Sequence, residues 1–496
     1  MTFVGTVVAV LVALMVLALI VVLLVKPLMK VLVAALTPAV GEGVSRALGK
    51  TSQAYRDNPM GLVPVMEKMR PLGLIETRIR TATGKPPQRP LGSPLHFSPW
   101  NDLLLLFANI DPMPTADEES VSLGVRIGPK AEKPLEVRSP VMIAAMSYGG
   151  AVSMRARLAL AKASSAVGTA TNSGEGVYIA EERQLADKYI IQYHRGTWPN
   201  SPQYDWPIFE QADAIEIQIG QGAQGAAAMT DNPKNIHPEM RKRFGLGSNE
   251  EAVIASRLQD VNRPDELIDL VERLKARFPV PVGIKFAATN RLEQEVPIYI
   301  EAGVDFLTID GAEGGTHGGP PILQDAMGLP TLWALARTRR ILEQHGVEND
   351  ISLIAAGGLI EPGDFLKAMA LGATACYSAS AIVMALLSQQ LDRAVMEMAP
   401  SYALLLESTQ YLNDELDTDR AEQSVVNLFK AWHKEFDLAL RAMGKTQVAQ
   451  LSPRDLVART RELADSLQID YVGGTLKMPH LAATRKSRER KARRAL

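Results

Sequence analysis

Short apolar runs alternate with longer amphipathic stretches through the middle of the chain. Eight runs have the length and composition of buried strands: Val141–Met146, Gly168–Thr171, Tyr189–Tyr193, Ala214–Ile219, Val282–Phe286, Phe306–Ile309, Ser352–Ala356 and Thr374–Ser378. Helical patterns lie between several of them. Ser153 precedes Arg155–Val167, Pro264 opens Asp265–Phe278, and Pro362 opens Gly363–Leu371, a first-turn position that suits proline. Strands alternating with helices predict parallel βα units, and eight of them in about 250 residues predict an α/β protein built on a (β/α)8 barrel. A doubly wound open sheet is the main alternative. The chain has no strand-linked GxGxxG followed by a suitable acidic residue, which argues against a dinucleotide fold.

The flanks have a different pattern. Phe3–Val25 carries no charged residue and is long enough to cross a bilayer as a helix. Lys26 and Lys30 follow it and no Lys or Arg precedes it, so the positive-inside rule places the C-terminal side in the cytoplasm. A signal peptide would carry its charge before the apolar run. Residues 1–40 are thus expected to be a single-pass anchor in the inner (cytoplasmic) membrane, touching lipid through residues 3–25, with the catalytic domain in the cytoplasm. Residues 41–135 read as mixed and irregular, broken by Pro86, Pro87, Pro90, Pro94 and Pro99, and packed on the barrel of residues 136–390. Residues 391–480 read as a helical extension, with Leu404, Leu405, Val426, Leu428 and Phe436 at helical spacing. Residues 481–496 are a basic, solvated tail, with contact to anionic head groups as the second reading.

Composition narrows the chemistry. The chain has 496 residues, 47% of them hydrophobic and 22% charged, which describes folded protein of more than one average domain. A net charge of −2 argues against nucleic acid as the main partner. Cys376 is the sole cysteine, so an intrachain disulfide, a Cys-ligated cluster and a Cys zinc site are excluded. Lying in an expected strand, Cys376 reads as a small core residue. No histidine spacing suggests a metal site, and no Gly-x-Ser-x-Gly elbow occurs.

In a barrel the active site lies at the carboxyl ends of the strands. The run FLTI stops at Asp310, and five glycines fall in the next nine residues. Glycine lets backbone N–H groups approach a ligand, and successive N–H groups form an anion site. Ile351–Ala356 is followed by Gly357 and Gly358, and Ala373–Ser380 ends in small residues. These three strand ends predict a phosphate-binding corner. The first strand ends at Ala145, Met146 and Ser147. The second leads to Glu175, the fourth contains Glu216 and Gln218, and the fifth carries Lys285. A lysine between Ile284 and Phe286 needs a partner once buried: an anionic or electron-rich ring, or a structural ion pair. Glu175 is either a functional carboxylate or a loop carboxylate bonded to backbone N–H groups. His317 is either a ligand contact or a surface residue.

The segments SPVMIAAMSYGGAVS, GTATNSGEG, AIEIQIGQGAQG, VGIKFA, LTIDGAEGGTHGGPP and LIAAGGLIEPGDFLKAMALGATACYSASA occur in this order. Together they resemble the FMN-binding synthase domain of glutamate synthase over residues 135–390. The resemblance implies a (β/α)8 barrel holding FMN, with the ring near Ala145, Met146 and Ser147. Gln218 and Lys285 would reach its polar edge, the lysine stabilising negative charge on the reduced flavin. The phosphate would sit among Asp310, Gly311, Gly314, Gly315, Thr316, Gly357, Gly358, Ser378 and Ala379. Lys285, Glu175 and Gln218 are the expected catalytic groups. The implied activity is that of a glutamate synthase-like FMN oxidoreductase acting on CH–NH2 donors. It reduces an imine of 2-oxoglutarate and ammonia, with a small amino-acid or 2-oxo-acid substrate and an electron donor the sequence does not identify.

Three departures accompany the resemblance. The family's cysteine cluster after the last strand is replaced by AIVMALLSQQ, so an iron–sulfur route for electrons is not expected. The glutaminase domain with its N-terminal cysteine is not found, so ammonia is expected from another source. Gln224 stands where the family has a lysine that helps bind substrate carboxylates. A non-redox barrel enzyme with a phosphorylated substrate and a degenerate membrane-tethered scaffold are the alternatives. The scaffold would need neither the glycines nor Lys285.

Overall fold

The structure, a computed structural model, describes residues 71–390 and 416–474. Residues up to Pro87 and those from Gln88 onward form two compact units. In the first, the described part is dominated by the helix Pro71–Thr83.

The second unit is built on eight parallel strands: β1 Val141–Ile143, β2 Thr171–Asn172, β3 Tyr189–Tyr193, β4 Ala214–Gln218, β5 Val282–Ala287, β6 Phe306–Asp310, β7 Ser352–Ala356 and β8 Ala375–Ser378. Their order is β1-β8-β7-β6-β5-β4-β3-β2. The Ile143 amide donates to the Ala170 carbonyl at 3.0 Å, so the two outer strands meet and the barrel is nearly closed. An open doubly wound sheet would leave those edges apart. Each expected strand is present. The second starts three residues later than expected, because Gly168 caps the preceding helix in the left-handed region (φ 73°) and cannot begin a strand there.

Local signals set the helices. The Ser153 hydroxyl accepts from the Ala156 amide and starts Met154–Val167. Proline opens both Pro264–Arg277 and Pro362–Ala370. Leu267, Leu270, Val271 and Leu274 bury one stripe of the former at the i, i+3, i+4, i+7 spacing. Cys376 is buried in β8, as expected of a core thiol.

The C-terminal extension is fastened to the barrel. Thr418–Ala442 buries Val425, Phe429, Trp432 and Phe436 and packs against Met154–Val167 and Ser380–Ser388. Leu456–Ala458 pairs antiparallel with Leu103–Leu105, the apolar run that precedes the barrel.

The membrane placement expected from the sequence is corrected. Among the described residues no helix is long and apolar enough to cross a membrane. The longest of them, Thr418–Ala442, turns a charged face outward that includes Lys430 and Lys434. The run Phe3–Val25, the pair Leu404 and Leu405, and the basic tail lie outside the described residues. An apolar run measures preference for leaving water, not which apolar phase receives it. The lipid partner and the inner-membrane location are therefore not carried forward.

Candidate active site

The strands bring charged groups into the barrel in layers. Asn172, Glu216, Thr308 and Tyr377 come from the even-numbered strands and are buried together. Glu216 is their hub. It accepts from Asn172 Nδ2 at 2.9 Å, Gln192 Nε2 at 2.7 Å, Thr308 Oγ1 at 2.7 Å and Tyr377 Oη at 3.3 Å. A buried carboxylate is tolerated when its lone pairs are filled in this way.

Two residues further along β5, Lys285 stands beside Gln218 in the β4–β5 register. Its Nζ lies 3.2 Å from Asp310 Oδ2, with the two side chains only 4% and 7% exposed. Of the two partners foreseen for the lysine, the ion pair is present. Burial pulls the Lys285 pKa down, but Asp310, Glu216 and Glu175 together outweigh it and raise the pKa above the ordinary lysine value. The ammonium therefore stays charged.

Gln218 Oε1 accepts from Arg195 Nε at 3.2 Å, and its Nε2 has no partner among the described residues. Arg195 Nη2 lies 3.2 Å from Glu175 Oε1, close enough for charge pairing but outside hydrogen-bond geometry. Burial raises the Glu175 pKa, with Arg195 and Lys285 opposing it only in part. Glu175 thus faces a buried arginine, and both the side chain and the backbone of Arg195 favour its charged form. Arg195 escaped the sequence reading, since a lone arginine after a strand carries no pattern.

Two adjoining cavities of about 980 and 1050 Å³ open at this end of the barrel. Ala145, Met146, Ser147, Glu175, Thr316 and His317 line the first. Lys285, Asp310, Gly357 and Gly358 line the second, and Ala145, Gly315 and Ala379 line both. Residues 89–98 cross the mouth of this cleft. The Leu91 amide donates to the Thr316 carbonyl at 2.9 Å, and Arg89 pairs with Asp325 at 2.7 Å. This strap sits within the proline-broken stretch that the sequence marked only as irregular.

The expected phosphate corner divides into two groups. Gly357 and Gly358 turn with φ of 102° and 73°, which glycine alone adopts without strain. The amides of Gly315, Gly357 and Gly358, and those at the start of the helix Ser380–Ser388, donate to no protein group among the described residues. They offer N–H groups and a helix N-terminus to an anion. The other positions bond to the protein itself. The Gly311 amide donates to the Ala356 carbonyl at 3.0 Å and the Gly314 amide to the Gly311 carbonyl at 2.9 Å. The Ser378 hydroxyl donates to the Leu359 carbonyl at 3.4 Å. Asp310, an acceptor paired with Lys285, has no proton to give a phosphate. These four shape the corner without lining it as donors.

FMN fits the groups that remain. A dianionic phosphate suits the free amides, and Lys285 offers a fixed positive charge beside the cleft. Gln192 Oε1 and Thr316 Oγ1 line the first cavity buried and unbonded, a condition native interiors rarely leave unmet.

The comparisons with known proteins agree. Residues 101–446 match the family model described as the conserved region in glutamate synthase. An archaeal-type glutamate synthase [NADPH] of Thermotoga neapolitana is 32% identical over 342 residues, 67% of this chain and 64% of the relative. The chain therefore spans under two thirds of that relative's length. A glutamate synthase large subunit-like protein of Rhizobium meliloti is 29% identical over 422 residues, covering 81% of this chain and 93% of the relative. A chimeric (S)-mandelate dehydrogenase structure aligns over 72% of this chain and 88% of its own, at 15% identity and a TM-score of 0.48, too distant to add to the barrel already evident from strand register. With the family model matched over well more than half its length, the chain belongs to the glutamate synthase family.

Proposed function

We propose that this protein is an FMN-dependent oxidoreductase that reduces the C=N or C=O bond of a small substrate of amino-acid type. When bound, the flavin would supply the hydride. The chain's own groups would do the rest. The amides of Gly315, Gly357 and Gly358 and the first turn of Ser380–Ser388 would hold the phosphate. Lys285, kept charged by its three carboxylate neighbours, would stabilise negative charge at the polar edge of the ring, with Gln218 beside it. Ala145, Met146 and Ser147 would support the ring face. Glu175, its pKa raised by burial, stands at the substrate side where it could carry a proton.

One observation carries the reading: a buried, ion-paired lysine and a set of unbonded backbone amides border the same cleft. Glutamate formation is the family form of this chemistry. NADPH, named in the archaeal-type relatives, is the first electron donor to test. The absorption spectrum of purified, FMN-supplemented protein checks the cofactor, and flavin bands that stay with the protein through gel filtration are expected. Folded, colourless protein overturns the proposal, and stabilisation of that protein by sugar phosphates would favour the non-redox barrel.

A further inference from the structure

We infer that the substrate end of the cleft takes a neutral or cationic amine or imine and rejects a dicarboxylate. The inference rests on the flavin reading for its place in a reaction, but its observations belong to the chain itself. Beyond Ser147 the first cavity runs into a smaller one lined by Glu175, Asp231 and His317. Among the described residues, neither lining includes a lysine or an arginine. Three buried cations at this end of the barrel each face a carboxylate. Arg195 has a fully buried side chain and faces Glu175. Lys285 faces Asp310 in the adjoining cavity. Arg157 is held by Glu182, with Nη2 2.6 Å from Oε2.

The unmet hydrogen-bonding groups agree with the charge. Gln192 is 1% exposed, and its Nε2 is committed to Glu216 at 2.7 Å. Glu216 only accepts, so the Gln192 amide is oriented with Oε1 free, and that oxygen has no partner. Glu175, 8% exposed, has Arg195 facing it, 3.2 Å from its Oε1. Both residues line the cavity, and the unbonded Gln192 oxygen is an acceptor. The amides that might have donated there are used: Gln221 Nε2 donates to Gln224 Oε1 at 2.8 Å, and Gln224 Nε2 to the Ala227 carbonyl at 3.4 Å. An ammonium or iminium brings the missing N–H donors and meets two carboxylates. A dicarboxylate brings only more acceptors and places like charges together in a site whose lining, among the described residues, holds no lysine or arginine.

The test uses two five-carbon probes of opposite charge, 1,5-diaminopentane and glutarate, in calorimetric titrations of the FMN-saturated protein. The diamine is expected to bind about a hundredfold more tightly, because like charges placed together at such a site weaken binding by about two powers of ten. Asp231→Asn should narrow the preference about tenfold, and Gln224→Lys should let glutarate bind. Equal or tighter glutarate binding by the unmodified protein overturns the inference. So does binding of neither probe, or an unchanged preference in Asp231→Asn. If the protein takes up no flavin, the flavin reading has failed. The same titration on flavin-free protein then still decides the charge preference, because Glu175, Gln192 and Asp231 are present either way.

Discussion

Lys285→Met removes the ammonium 3.2 Å from Asp310 and leaves a carboxylate that is 7% exposed without its partner. Two unit charges at that distance attract by about 5 kcal/mol at an effective dielectric of about 20, before desolvation is counted. Removing one member of a buried pair costs about 3–5 kcal/mol, whereas removing both is often close to neutral. Lys285→Met is therefore expected to lose about 3–5 kcal/mol of folding stability, and Lys285→Met/Asp310→Asn to regain most of it. Urea unfolding of the flavin-free proteins measures both. Comparison at pH 7 captures the whole effect: with the Lys285 pKa raised, the pair's contribution persists below the ordinary lysine value of 10.5 and is lost only as pH climbs through the raised one. FMN affinity tells a separate story, since the double variant restores neutrality but not the positive charge. It should stay weakened about tenfold or more in both variants. A double variant as unstable as the single one would refute the stranded-carboxylate argument. Unaltered FMN affinity in the double variant would remove Lys285 from the cofactor site.

Two further outcomes follow from the same geometry. His194 donates from Nε2 to the Gly176 carbonyl at 2.7 Å and accepts at Nδ1 from the Gly196 amide at 3.0 Å, and burial lowers its pKa from 6.5 to about 4. The unfolded chain takes up a proton that the folded ring refuses, so stability should fall by ~3 kcal/mol as pH drops from 6.5 to about 4, a loss that His194→Gln lacks in acid titrations followed by circular dichroism. At Gly358, φ is 73° and an added Cβ would stand 2.6 Å from Glu313 Cβ. Gly358→Ala should cost about 1–3 kcal/mol in thermal melts and weaken FMN binding, and a fully wild-type variant would show that this turn has room to shift.

Much of the barrel was legible because its signals are local. Apolar runs of strand length, the Ser153 cap and the Pro264 and Pro362 starts depend on neighbours within a few residues, and tertiary packing agreed with them. The largest shift of a strand start, from Gly168 to Thr171, came from a cap that ends a helix and delays the strand. The family resemblance carried by the motif segments agrees with the family match over residues 101–446. At the expected phosphate corner some glycine amides bond to the protein itself and others do not. Glycine content announces close approach, and close approach to protein looks the same in sequence as close approach to a ligand. At Gly311 an added Cβ would fall 2.0 Å from Thr331 Oγ1, so that glycine serves packing.

The chain's pattern of apolar and polar positions determined the eight strands, their parallel sense and the end of the barrel where chemistry gathers. Backbone propensities and side-chain period act over a few residues, and the sequence displays them directly. Only the folded molecule decided which charges meet. Lys285 and Asp310 are 25 positions apart, Glu175 and Arg195 are 20 apart, and Glu216 and Tyr377 are 161 apart. Such pairs form where barrel closure brings strand ends within a few ångströms, and electrostatic energy depends on that distance and on burial, neither of which is written in residue order. The same closure drew the segment around Leu91 over the mouth and left Gln192 and Glu175 with acceptors facing the cavity.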